Sequence, residues 1–229
     1  MKKEVVNVKN INEKNKSNIS TFINLKIYMF LKRLFDIICA IFGCFAMLPI
    51  AIIVKISYVL SGDFKSIFYR QRRIGKNGKI IGIYKFRSMV HNADEVLNEL
   101  LKDKKYKKEW DDNQKFEKDP RITKVGNILR KTSLDEIPQF LNVLFNQMSL
   151  IGPRPLIEGE LEAHNGNHEL YESVKPGITG WWACNGRSAT TYKERLELEY
   201  YYIKNRSLSL DIKCIFKTVE AVLMKKGAK

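Results

Sequence analysis

A chain of 229 residues with 45% hydrophobic side chains can bury one large core or two small ones, which excludes a chain too polar to fold. Forty Lys and Arg against 25 Asp and Glu leave a net charge of +15, so the partners expected are anions: nucleic acid, acidic lipid headgroups or phosphorylated small molecules. The cysteines, Cys39, Cys44, Cys184 and Cys214, follow no metal or redox spacing and read as reduced residues of a core or a membrane segment.

Met1 to Thr21 are rich in Lys, Asn, Glu and Ser, and residues 1–25 are expected to be a flexible polar tail. Ile37 to Val54 (IICAIFGCFAMLPIAIIV) carry no charge and approach the length of a membrane helix; a buried soluble helix is the alternative. Cations flank the run on both sides: Lys26, Lys32 and Arg33 before it, Lys55, Lys65, Arg70, Arg72, Arg73 and Lys76 after it. The positive-inside bias pulls both ends toward the cytoplasm, and Pro49 bends a helix near its middle. A re-entrant helix-break-helix over residues 26–62 satisfies both features, leaving residues 63–229 as a cytoplasmic domain.

Ser66 to Met89 hold two β-prone runs around Gly75-Lys76-Asn77-Gly78, a hairpin signal. His91 to Trp110 read as charged, exposed helix, and Asp119-Pro120 as a turn. A helix is expected to open at Ser133, with Ser133 and Glu136 at capping-box spacing, and to run through QFLNVLF. Ile151 to Leu156 (IGPRPL) is irregular, while Tyr192 to Ile203 and Asp211 to Lys226 have helical periodicity. The fold class is α+β, mainly helical with a short β-hairpin.

Asp135 and Glu136 are adjacent carboxylates at the predicted helix start, where the macrodipole lowers pKa and favours an ionised nucleophile; simple capping is the plainer reading. Arg154 sits between Pro153 and Pro155, which stiffen the backbone that launches its planar fork. Lys85, Arg87, Arg130 and Arg187 lie at other element ends. Several cations, an acidic dyad and a membrane anchor fit diphosphate chemistry at a bilayer, with Mg²⁺ held by the carboxylates. His164 and His168 lack further ligands for a zinc site, and Trp181, Trp182 and Tyr200 to Tyr202 read as stacking or packing aromatics.

The runs KRLFDIICAIFG, YRQRRIGKNGKIIGIYKFRSM, DPRITKVGNILRKTSLDEIPQFLNVL, MSLIGPRP, KPGITGWWACNGRS and SLSLDIKCIFKT together resemble the bacterial sugar transferases, the monotopic polyprenyl-phosphate phosphoglycosyl transferases, from about Phe30 to Lys226. The resemblance implies a re-entrant helix, Mg²⁺, a UDP-sugar donor and a polyprenyl phosphate acceptor at the inner face of the cytoplasmic membrane. It implies Asp135 as nucleophile, Glu136 as metal partner or base, and Lys85, Arg130, Arg154 and Arg187 as phosphate ligands. Larger members carry extra upstream helices, so this chain reads as a minimal catalytic unit. Three departures stand out: Leu48-Pro49 for Ser-Pro, Glu199 for an aspartate, and Trp182-Ala183-Cys184 for Ala-Gln-Val. Asp211 is a further supporting position. The rival readings are a non-catalytic membrane adaptor of the same fold and a nucleic-acid binder, the latter without any recognised motif. Anionic lipid is an expected partner, and the choice of sugar and a homo-oligomeric state stay open.

Overall fold

A computed structural model of the chain describes residues 23–111, 116–186 and 190–221 in full. Most of the expected tail and the end of the last predicted helix lie outside the described residues, as does Arg187. The chain is mainly helical, with a two-stranded hairpin and one long apolar helix near the N-terminus.

That helix, α1, has the bounds Lys2–Leu60 and is helical without interruption through Pro49. Its described part is amphipathic in an unusual sense. Tyr28, Asp36, Ala40, Met47, Val54 and Tyr58 recur at helical spacing and are buried against the rest of the chain. The other side, carrying Phe30, Phe42, Phe45, Ile52, Ile53 and Leu60, is apolar and exposed, with Phe42 at 71%. Gly43 lets the Phe140 ring lie directly on α1, since a Cβ there would stand 2.4 Å from that ring.

Strands β1 (Phe68–Ile74) and β2 (Ile80–Phe86) pair antiparallel, with Tyr69 opposite Lys85 and Arg73 opposite Ile81. Asn77 (φ 57°) and Gly78 (φ 69°) take the left-handed backbone that closes the loop, which is why Asn-Gly was the readable signal. The charged stretch that follows forms α2 (Ala93–Leu100) and α3 (Lys104–Asn113). Next comes α4 (Lys124–Lys131), capped by the Thr123 side chain accepting from the Gly126 N–H.

The expected helix from Ser133 through Phe145 is corrected. A single 3-10 turn, Leu134–Glu136, is followed by α5 (Gln139–Leu144). Ser133 is left-handed (φ 56°) and makes no capping bond, so the capping box is absent there. Pro138 contributes to the break, since a proline supplies no N–H to continue the ladder.

Two three-residue strands, β3 (Ser149–Ile151) and β4 (Gly177–Thr179), pair in parallel and frame the Gly-Pro-Arg-Pro loop. Helix α6 (His168–Tyr171) precedes β4, and α7 (Trp181–Asn185), α8 (Tyr192–Asn205) and α9 (Leu208–Leu223) follow. A true capping box, Thr191 with Glu194, starts α8. Ile151, Leu156, Leu161, Tyr202 and Ile203 form one core under β3 and β4. Met47, Val54, Tyr58, Phe86 and Leu129 form a second, beneath α1, the hairpin and α4.

Candidate active site

The 3-10 turn carrying Asp135 and Glu136 opens onto a groove of about 1150 Å³ that Lys85, Arg130, Arg154 and Trp182 also line. The structure therefore gathers five of the expected residues beside the dyad's Asp135: Glu136, Lys85, Arg87, Arg130 and Arg154.

Lys85 projects from β2 and donates from Nζ to Glu136 Oε1 at 3.0 Å, tying the hairpin to the dyad. Arg130 leaves the last turn of α4 and donates from Nε to Ser88 Oγ at 2.8 Å. Asp135 is half-buried. Burial, and then the neighbouring Glu136 charge, push its pKa up, while Lys85 and Arg130 pull it down. This reverses the sequence expectation of a lowered pKa, because no long helix starts at the dyad to supply a macrodipole.

Arg154 is fixed by its own backbone. Its N–H donates to Glu199 Oε1 at 3.0 Å, and its carbonyl accepts from the Tyr171 hydroxyl at 2.9 Å. Pro153 and Pro155 hold the same loop, whose Pro153 carbonyl accepts from the Gly177 N–H. Gly152 allows the loop to press on the approach to β4, since a Cβ would stand 2.6 Å from the Lys175 carbonyl oxygen. The guanidinium of Arg154 faces the Trp182 ring at 5.8 Å from its centroid.

Glu199, on α8, is almost wholly buried, and burial raises its pKa to about 7 against the Arg154 N–H and the Arg195 and Arg154 charges. Its Oε2 has no hydrogen-bond partner among the described residues. Together with Arg73, Lys85, Glu136 and Arg154 it lines a smaller cavity of about 50 Å³ beside the groove.

Two expected residues also hold the fold together. Arg87 is buried, donates to the Ser66 and Met89 carbonyls, pairs with Asp63 at 2.8 Å and stacks on Tyr58. It braces the hairpin against α1 while also lining the groove. Asp211 accepts from Tyr28, Lys32 and Tyr202, so it clamps α1 to α9. Arg187 falls outside the described residues.

His164 stacks on Tyr192, and His168 lies between Glu162 and Glu172. Sequence reasoning passed over Arg73, although strand alternation carries the signal. Directly opposed residues share a sheet face, so Tyr69, Gln71 and Arg73 project on the side of Lys85.

Residues 27–225 match a family described as bacterial sugar transferase. A protein of Erwinia amylovora named UDP-galactose-lipid carrier transferase is 44% identical over 200 residues, covering 87% of this chain and 42% of its own length. The exopolysaccharide production protein ExoY of Sinorhizobium fredii is 42% identical over 198 residues, covering 86% of this chain and 87% of its own. The UDP-glucose:undecaprenyl-phosphate glucose-1-phosphate transferase of Escherichia coli is 39% identical over 211 residues, 86% of this chain and 41% of that one. The chain spans less than half the length of the first and third of these relatives and most of the second.

Proposed function

Since the chain belongs to the bacterial sugar transferase family, we propose that it moves a sugar 1-phosphate from a UDP-sugar to polyprenyl phosphate and releases UMP. The observation that carries the reading is the grouping of Asp135, Glu136, Lys85, Arg130 and Arg154 on one groove beside an apolar helix.

The proposed route has two displacements, each exchanging one P–O bond for another. An Asp135 carboxylate oxygen attacks the β-phosphorus, the bond to the bridging oxygen breaks, and the electron pair leaves with UMP. A polyprenyl phosphate oxygen then attacks the aspartyl phosphosugar, and the carboxylate returns as leaving group. Splitting one hard displacement into two is the advantage of a covalent nucleophile. Lys85 and Arg130 neutralise equatorial phosphoryl oxygens during both steps. Glu136, held by Lys85, is placed to take a proton from the acceptor phosphate.

A resident Mg²⁺ fits the donor set in one way. Mg²⁺ takes one or two carboxylates and completes its shell with waters and substrate phosphates. Asp135 and Glu136 are adjacent and mutually repelling, and no cluster of three His, Cys, Asp or Glu side chains occurs among the described residues. Asp135 and Glu136 would hold the ion, which when bound supplies charge neutralisation for the diphosphate. Chelation with EDTA is expected to abolish turnover and added Mg²⁺ to restore it; full activity in EDTA would remove the metal from the scheme.

The contacts of α1 support residence on one side of a membrane. Midway along α1, just before the uncharged run, Lys32 pairs with Asp211, Arg33 donates to the Val143 and Leu144 carbonyls, and Asp36 accepts from Leu150 N–H. Near its end Tyr58 donates to the Arg87 carbonyl. Both flanks of the uncharged run are thus tied to the same domain, which a span leading away from that domain does not allow. We read α1 as a re-entrant or in-plane anchor whose exposed apolar face enters the inner leaflet of a bacterial cytoplasmic membrane.

The test is a panel of UDP-sugars incubated with polyprenyl phosphate and the membrane-embedded protein. One or more sugars should release UMP, and Asp135→Asn should lower the rate at least roughly 1000-fold, as expected when a nucleophile is lost. UMP release by Asp135→Asn within a few-fold of wild type would overturn the assignment. Absence of release from every UDP-sugar would favour the adaptor reading.

A further inference from the structure

Arg73 is unusual among the cations around the groove. It leaves β1 on the same sheet face as Lys85 and enters the small cavity beside the dyad. Lys85 is bonded to Glu136 and Arg130 to Ser88, but no hydrogen bond or ion pair holds the Arg73 guanidinium among the described residues. Nor does a carboxylate hold the Arg154 guanidinium, which lines the same cavity; Glu199 reaches only the Arg154 N–H. Glu160, whose charge acts on Arg73, is already engaged on both oxygens: Oε1 accepts from Arg195 Nη1 and Oε2 from the Ile157 N–H.

Glu136 and Glu199 line the same cavity, but Glu136 is bonded to Lys85 and Glu199 to the Arg154 N–H. Burial, and next the like charge of Arg154, push the pKa of Arg73 down, with Arg195 adding to the repulsion. Partly desolvated guanidiniums that no carboxylate pairs with directly are costly on their own. Their planar forks suit one kind of guest, a phosphate taken bidentately.

The position of the pair selects which phosphate. Arg154 lines both the groove and the cavity, whereas Arg73 lines only the cavity. In an in-line displacement at Asp135 the leaving oxygen lies opposite the attacking one, so the second phosphate of the donor extends away from the dyad. Phe140, which packs on α1, lines the groove and not the cavity, so a lipid phosphate arriving from the apolar helix meets the groove first.

We propose that Arg73 and Arg154 clamp the α-phosphate of the donor, the phosphate that departs with the nucleoside. The inference rests on the transfer reading above. As the bond between the β-phosphorus and the bridging oxygen breaks, the electron pair settles on the nucleoside monophosphate, and the two guanidiniums stabilise that charge. Arg73 is then a binding residue for the leaving group, and the same clamp receives UMP in the reverse reaction.

The test measures UMP binding to the full-length protein in nanodiscs by calorimetry, alongside steady-state kinetics. Arg73→Gln should weaken UMP roughly 10- to 100-fold, the worth of a charge-assisted contact, and raise KM for UDP-sugar by a similar factor. KM for polyprenyl phosphate should not change, and Arg73→Lys should recover part of the loss. UMP affinity within twofold of wild type, or a rise confined to KM for polyprenyl phosphate, would overturn the proposal. If Arg73→Gln does not fold, hydrogen exchange on the wild-type protein decides: UMP must protect residues 68–74 and 152–155, and no protection there rejects the clamp. A wild-type protein that binds UMP through Arg73 yet turns over no UDP-sugar would sink the activity reading while leaving the site in place.

Discussion

In the proposed route Asp135 must be ionised to attack, and its surroundings resist ionisation. Burial and Glu136 raise its pKa, whereas Lys85 and Arg130 lower it. The rate should therefore fall with decreasing pH at a point above the ordinary aspartate value, because the raised folded pKa is crossed earlier on the way down. Lys85→Met removes one of the groups that lower the pKa, so the acid limb of kcat/KM should move to higher pH. A limb that stays in place or moves to lower pH would contradict this electrostatic account.

Glu199 makes a separate claim, about stability. The folded carboxyl keeps its proton up to about pH 7, while an unfolded one releases it near 4.3. Its contribution is complete below about pH 4 and is lost as pH rises through about 7. Glu199→Gln cannot ionise, so its unfolding free energy should gain on wild type as pH increases across that window. Parallel pH curves for the two proteins would show that Glu199 is already ionised in the fold. The sequence made the dyad legible because two adjacent carboxylates beside Arg130-Lys131 are a local pattern. Their electrostatics were not legible, since Pro138 cuts the expected helix and burial depends on residues far along the chain.

Among the elements, α1 was visible as an uncharged run, but its partners were not. Lys32 and Arg33 looked like free flanking cations in the sequence; in the fold they are bound to Asp211 and to the end of α5, whose last carbonyls need donors. Asp211→Ala leaves the Lys32 charge and the Tyr28 and Tyr202 hydroxyls without their shared acceptor. The loss should be about 3 kcal/mol, the size expected when one member of a buried pair is removed, read by chemical unfolding in detergent. A change below about 0.5 kcal/mol would show the clamp to be dispensable. The hairpin was readable from Asn77-Gly78, whereas β3 and β4 were missed. Their parallel pairing joins Ser149 to Gly177 across an intervening loop and helix, and three-residue strands leave no local periodicity.

At the scale of the whole molecule, an exposed apolar helix face and a net charge of +15 occur together. A bilayer with acidic headgroups satisfies both. Phe42→Ser with Phe45→Ser changes only exposed side chains, so the fold should survive while binding to anionic vesicles weakens in a flotation assay. Unchanged vesicle binding would place the membrane contact elsewhere. Single cysteines in the polar tail and near Asn77, in a background without native cysteines, should both resist an impermeant thiol reagent applied outside intact cells. Labelling of the tail would mean that α1 spans the membrane.

The covalent route through Asp135 is the centre of the account, and intact-protein mass spectrometry tests it most directly. The protein is mixed with a UDP-sugar that it turns over, without polyprenyl phosphate, and quenched in acid. The account predicts one added sugar phosphate per chain, mapped to the peptide containing Asp135, with a matching amount of UMP and no adduct in Asp135→Asn. An unmodified wild-type chain, with UMP appearing only once the lipid acceptor is added, would contradict it.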